Sequence, residues 1–435
     1  MTTAAEVRLW GTTIGAVTYT DGEKFSSFEY APSFIQSGIQ LSPIQMPLKK
    51  GVYRFSDLPL SFRTLPGLLA DSLPDKFGNA LIEVWLAKQG RILSDFNAVE
   101  QLCYTGTRGM GALEFYPAMS EKMNYEAKIH IQELVELSSA VLSNRKNLKE
   151  FLDKNDSKKF NRALAQIISW GASAGGARAK AVIALNPNTN EIRSGQIEIP
   201  EGFEPWLIKF SGVSENRDKE SNDSAEYGAI EFAYYNMALA AGIEMSECRL
   251  LDDGKNRHFM TKRFDRNGAE KKHVQTLAAL AHFDLDKPRV YSYEQAFEVM
   301  RRLGCPKTDF YELFRRMVFN IFARNQDDHV KNFSFMMDRR GFWSLAPAYD
   351  IGFAYNPNGA WTSSHQLSVN GKYSNISLED IFECGKFAKI RKPQAQEIIQ
   401  QVAEAVNRWS EFAEAAGVSG EVAQGIEGCL QILQN

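Results

Sequence analysis

The chain has 435 residues, 44% hydrophobic and 24% charged, the make-up of a soluble folded protein long enough for two or three domains. A net charge of −3 leaves no general basic field for gripping nucleic acid, so any DNA contact would be local or made through a partner. Five scattered cysteines without a CxxC argue against a disulfide framework or a zinc site, and the absence of a leader or an 18-residue apolar run gives a cytoplasmic expectation with no membrane span.

The first ~120 residues begin as strands. Val7 to Gly11 and the alternating Thr12, Ile14, Ala16 and Thr18 are followed by an Asp21-Gly22 turn and by Phe25, Phe28 and Tyr30. Asp71 to Asp75 is an acidic loop, and Phe77 to Lys88 has helical spacing. Gly106 to Gly111 reads as a turn rather than a phosphate cradle, because no clear strand and helix flank it. Residues ~120–165 read as a helical connector rich in Lys, Glu and Asn.

The next stretch is Gly171-Ala172-Ser173-Ala174-Gly175-Gly176-Ala177-Arg178-Ala179-Lys180, leading into the strand Ala181 to Leu185. It fails the P-loop pattern, since Ala177-Arg178 stands where Lys-Ser/Thr would be, and it fails GxGxxG. Small residues still let a backbone approach phosphates closely, with Arg178 and Lys180 as cations beside it; a plain glycine turn is the competing reading. After the Asn186–Asn190 turn comes the strand Trp206 to Phe210, carrying Lys209, and then a helix from Glu226 to Ala241, on which Glu231 is the better inward-facing candidate to pair with a strand lysine. His258 to Arg266 reads as a strand leaving for a loop. Helices follow over Tyr293–Met300 and Phe310–Phe322, then from a Ser377 cap over Leu378–Cys384, from Pro393 through Phe412, and over Glu421–Leu433.

The organising stretch is Asn325 to Gly352. Asp327 and Asn332 are five residues apart, with His329 and Lys331 between them. A period-2 run, a turn at Asp338 to Gly341 and a second apolar run form a hairpin that would return Asp350-Ile351-Gly352 to the same mouth. D-x-x-x-x-N followed by Asp-x-Gly is the arrangement of phosphoryl transfer from Mg-ATP: Asp327 orients the attacking hydroxyl, while Asn332 and Asp350 hold the metal. Asp328 lacks the five-residue interval. His329 supports the loop or joins Lys331 near the transferring phosphate.

DDHVKN with YDIG, SAGGARAK, LIKF, TKRFDR and the opening VRLWGTTIGAV together resemble the HipA family of bacterial serine/threonine kinase toxins, over nearly the whole chain. The resemblance implies an α+β, bilobal protein-kinase-like fold. Residues 1–120 would form a small extra N-terminal subdomain, 121–265 a β-rich N-lobe and 266–435 an all-helical C-lobe. It implies ATP and Mg2+ as cofactors, Asp327 as the catalytic aspartate, Asn332 and Asp350 on the metal, and nucleotide contacts from Ser173, Ala174, Gly175, Gly176, Ala177, Lys180, Lys209, His329 and Lys331. Lys262, Arg263 and Phe264 would be the adenine hinge, and Ser173 a site of autophosphorylation that expels its loop. It further implies a HipB-like helix-turn-helix antitoxin, operator DNA bound only through that complex, and an aminoacyl-tRNA synthetase as substrate. Ala179 departs from the proline that family loops often carry before the lysine. A small-molecule phosphotransferase of the aminoglycoside or choline kinase type, a metal-dependent nuclease and a catalytically silent co-repressor are the other classes the residues allow.

Overall fold

The computed structural model describes residues 2–119, 131–143, 178–196, 199–213 and 226–433. Chain contacts divide it into two compact units: 1–42 with 46–218 and 251–274, and 43–45 with 219–250 and 275–435.

The first unit opens with an antiparallel hairpin, β1 (Thr2–Leu9) and β2 (Thr12–Thr20), paired from Thr2↔Thr20 to Leu9↔Thr12 with a bulge at Val7/Arg8. Trp10 and Gly11 turn it with φ of 50° and 79°, the paired positive values that a tight two-residue hairpin demands. With β3 (Ser27–Tyr30), β4 (Val52–Tyr53) and β5 (Leu113–Tyr116) the sheet order is β4-β3-β2-β1-β5. Ala5, Val7 and Leu9 alternate inward and are fully buried. Gly15 permits the close pairing of β2 with β3, since a Cβ there would lie 2.2 Å from the Glu29 carbonyl oxygen.

Helix α1 (Lys76–Ala87) starts where Asp75 accepts the Gly78 N–H at 2.7 Å; α2 (Ala98–Thr105) starts on an Asn97/Glu100 capping box. Of the expected connector, the described part is α3 (Ile131–Ser143). A second sheet runs β7 (Ile192–Ser194), β6 (Lys180–Leu185), β8 (Glu204–Lys209) and β9 (Arg257–Lys262) as successive neighbours. One core joins α1 and α3 to this sheet: Phe77, Leu81 and Val84 with Leu134, Val141, Ile183, Trp206, Ile208 and Met260. Every residue of β6 is buried, as an apolar central strand requires, and that includes Lys180.

The second unit is mostly helical, with a small hairpin inside it. Helix α4 (Tyr227–Ala240) is tied to the end of α6 (Lys307–Phe322) by the Tyr234 hydroxyl, which donates to the Ala323 carbonyl at 2.7 Å. Helix α5 (Tyr293–Leu303) begins with a Ser292/Gln295 capping box and ends on Gly304 at φ 70°. The hairpin pairs β10 (Ser334–Met337) with β11 (Trp343–Leu345), and Asp338 closes its turn by accepting from the backbone of Arg340 and Phe342. Helix α7 (Leu378–Phe387) has the expected Ser377 cap.

The last two helix readings differ from the structure. The run from Pro393 through Phe412 is two helices, α8 (Lys392–Val406) and α9 (Trp409–Ala416). The break lets the Trp409 indole donate to the Ala423 carbonyl at 2.9 Å, so tertiary packing overrides a continuous periodicity. The last helix, α10, is Gly420–Glu427 and stops before Gly428 rather than reaching Leu433. No helix among the described residues is long and apolar enough to cross a membrane.

Candidate active site

In the second unit, α6 delivers the chain into the 324–332 loop, and β10 and β11 carry it back. The return strand then lies beside the entry: Asn325 and Ala354 form a parallel bridge, Gln326 N–H donates to Ala354 O at 3.1 Å, and Ala354 N–H donates to Arg324 O at 3.1 Å. Asp350, four residues before Ala354, is thereby returned to the loop that holds Asp327. Arg324 and Asp350 both adopt left-handed backbone, at φ 55° and 52°. Non-glycine residues pay strain for that conformation, and such strain concentrates where a side chain must be aimed.

The two neighbouring aspartates have opposite environments. Asp328 is buried: its Oδ1 accepts the Gln366 N–H at 2.7 Å, and its Oδ2 takes the Tyr293 hydroxyl at 2.8 Å with His365 Nδ1 at 3.0 Å. Tyr293 extends this network, because Asn320 donates to its hydroxyl at 3.0 Å and Asn325 donates to Asn320 at 2.9 Å. Burial, with Asp328 beside it, holds the Tyr293 phenol well above its ordinary value. Asp328 is thus consumed in building the loop. Asp327 keeps 34% of its side chain exposed and takes the Trp361 indole N–H on Oδ1 at 2.6 Å, with His329 Nε2 at 3.9 Å from the same oxygen.

The five-residue interval has a local cause. Asn332 donates its amide N–H to the Asp327 carbonyl at 2.8 Å, closing the loop on itself. The Lys331 N–H donates to His329 Nδ1 at 3.2 Å, and the Lys331 carbonyl accepts from the Tyr349 hydroxyl at 2.6 Å. His329 is therefore a loop brace through one ring nitrogen. The Asn332 amide oxygen and the Asp350 carboxylate are hard oxygen donors of the kind Mg2+ takes. That ion is ordinarily held by one or two carboxylates together with phosphates and water, so so sparse a donor set fits it.

Of the other sequence-predicted residues, Lys180, Lys209 and Lys262 to Phe264 lie in the first unit. Ser173, Ala174, Gly175, Gly176 and Ala177 lie outside the described residues. Lys180 and Lys209 stand directly opposite each other in the β6–β8 ladder. Lys180 is buried, with Nζ 3.3 Å from the Asp75 carboxylate, the same carboxylate that caps α1. Two like charges opposite each other in a sheet repel, and Asp75 offsets one of them. Lys209 is half-buried, its ammonium 5.6 Å from the centre of the Phe259 ring. In the second unit, Glu231 is buried on α4.

The expected hinge segment is heavily bonded. Lys262 pairs with Glu204 at 2.6 Å, and the Arg263 N–H donates to the Pro205 carbonyl at 2.9 Å. Arg263 grips buried Asp265 with two bonds of 2.8 and 2.7 Å, and Arg266 adds a third at 2.6 Å. Burial alone would raise the Asp265 carboxyl, but the two guanidiniums outweigh it and hold the group well below the carboxylate range. Asp265 also accepts the Gly111 N–H at 2.8 Å, while Arg266 donates to Gly109 and Gly111 carbonyls. The second glycine cluster is accordingly a clamped turn. Phe264, between them, is half-buried.

Trp361, His365, Gln366, Tyr293 and Asp75 were not visible as site residues in sequence. Each acts through a partner at least 34 positions away, and no local pattern marks it.

These features define an α+β fold of the protein-kinase type. Residues 5–116 match the HipA N-terminal domain and residues 172–409 the HipA-like C-terminal domain. The chain belongs to the HipA family. Its fold is similar to the Shewanella oneidensis HipA solved with HipB and operator DNA, with a TM-score of 0.65 and 15% identity over 98% of this chain and 94% of that one. It is also 26% identical over 249 residues to the Sinorhizobium fredii protein named "Putative kinase Y4dM" and 38% identical over 61 residues to its "Putative kinase Y4mE". The first match covers 52% of this chain and 56% of the relative, and the second 14% of each.

Proposed function

We propose that this protein is an ATP- and Mg2+-dependent protein serine/threonine kinase, the toxin of a HipBA-like toxin–antitoxin pair. The observation that carries the reading is the division of labour at Asp327-Asp328: one carboxylate is buried as scaffold, and the other is exposed on a loop closed by Asn332. An acceptor hydroxyl hydrogen-bonded to Asp327 gives up its proton to that carboxylate as its oxygen bonds to the γ-phosphorus. The bond from that phosphorus to the bridging oxygen breaks, and ADP leaves. Bound Mg2+, held by Asn332 and Asp350, would neutralise charge on the phosphate oxygens. Lys209 and the 173–177 loop are assigned to the nucleotide phosphates. Lys262 to Phe264 are assigned to adenine through their backbone.

Lys180 is a weaker phosphate ligand in this reading, since Asp75 already engages it. Ser173 is the proposed autophosphorylation site, where a group of roughly −1.5 to −2 charges would repel a nucleotide. The proposed partner is a HipB-like helix-turn-helix antitoxin through which operator DNA is reached, and the proposed acceptor is an aminoacyl-tRNA synthetase.

The deciding experiment is phosphoproteomics of cells producing the wild type against Asp327→Gln, with the purified chains mapped at Ser173. Wild-type-dependent phosphosites on a translation protein and on Ser173 are expected. Phosphosites retained in Asp327→Gln would remove the assignment of the base, and a wild type that binds Mg-ATP but modifies no protein would point to a small-molecule acceptor.

A further inference from the structure

Three consecutive residues of the 324–332 loop are bonded to one short segment, 361–366. With its amide oriented to satisfy both ends, Gln326 donates to the Thr362 carbonyl at 2.8 Å. Asp327 accepts the Trp361 indole N–H at 2.6 Å. Asp328 accepts the Gln366 N–H at 2.7 Å and pairs with His365 at 3.0 Å. The segment is also stapled to itself, since the Gln366 side-chain amide donates to the Trp361 carbonyl at 2.6 Å.

We infer that Trp361 is a positioning residue for the Asp327 carboxylate, anchored through Gln366 and His365 on the neighbouring Asp328. This rests on the kinase reading for its catalytic meaning, and on geometry alone for the contact. An indole is a donor only, so it can neither accept the proton in transit nor compete for it. Holding Oδ1 fixes the carboxylate rotamer. Trp361 is only 8% exposed, so its ring is held by packing, and the entropy of aiming it is spent on folding rather than at each turnover. His329 Nε2 lies 3.9 Å from the same oxygen, while Asp328 is turned into its own buried bonds.

The test combines kinetics and spectroscopy on the full chain. Trp361→Phe keeps a ring and removes the donor. Phosphate-transfer kcat should fall about 10- to 100-fold with KM for ATP unchanged. A wild-type kcat in Trp361→Phe would overturn the inference. Independently, the seven indole N–H resonances of the wild type are compared with those of Asp327→Asn, with Trp361 identified by its loss in Trp361→Phe. The Trp361 signal should move upfield when the carboxylate becomes a neutral amide, and an unmoved signal would refute the contact. If the wild type transfers no phosphate, the kinase reading falls, and the indole comparison still decides whether Trp361 holds Asp327.

Discussion

Replacing each of the adjacent aspartates should give opposite outcomes. Asp328→Ala removes the acceptor for the Gln366 N–H, the Tyr293 hydroxyl and His365, all of them buried. Each stranded donor costs about 1–3 kcal/mol, and breaking a buried charged cluster costs about 3–5 kcal/mol in all. Because folded domains have only about 5–15 kcal/mol in hand, that is a large fraction. Asp327→Asn exchanges a one-third-exposed carboxylate for an amide of the same shape that can still accept the Trp361 N–H, so the loss should stay within about 1 kcal/mol. Urea unfolding followed by tryptophan fluorescence reads the difference. With a slope of about 3 kcal/mol per molar, Asp328→Ala should lower the midpoint by about 1–1.7 M, while Asp327→Asn should leave it within about 0.3 M. Phosphate transfer should be lost in Asp327→Asn despite the intact fold. An Asp328→Ala protein that unfolds at the wild-type midpoint would refute the division of roles, as would an Asp327→Asn protein that is equally destabilised.

The two opposed strand lysines should also separate. Lys209→Met should abolish Mg-ATP binding by calorimetry with little loss of stability, whereas Lys180→Met should retain binding; Asp75→Ala, which strands the buried Lys180 ammonium and uncaps α1, should cost about 3–5 kcal/mol by thermal unfolding. His273 should make stability fall in mild acid. Burial pushes its imidazole down to about 3, while the unfolded chain takes the proton near 6.5. Stability is then complete above pH ~6.5 and declines by up to about 1.4 kcal/mol per pH unit below it, and His273→Gln should flatten that slope in melts between pH 7 and 4.5.

What was legible in the sequence was what depends on neighbours in the chain. The hairpin from Ser334 to Leu345 announced itself by period-2 apolar residues and a Gly-containing turn, and Ser377 announced α7 by its side-chain acceptor. The interval from Asp327 to Asn332 was legible because it is a local closure, with the amide of one reaching the carbonyl of the other. What stayed hidden were pairings whose partners are separated by dozens of residues. Lys180 read as a cation beside a phosphate loop, and nothing nearby names Asp75 as its counter-ion, 105 positions earlier. The 393–412 run read as one helix because its periodicity continues across the break at Asn407-Arg408, beyond which Trp409 bonds to distant Ala423. In sequence Asp328 lacks only the interval, whereas in the structure its carboxylate is buried and already takes three donors, from Gln366, Tyr293 and His365, which closes it to an incoming hydroxyl. The same network explains why the pair occurs as neighbours. Anchoring one aspartate in the core fixes the backbone of the next, and the Trp361–Gln366 segment, held by the anchored one, reaches back to orient the exposed one.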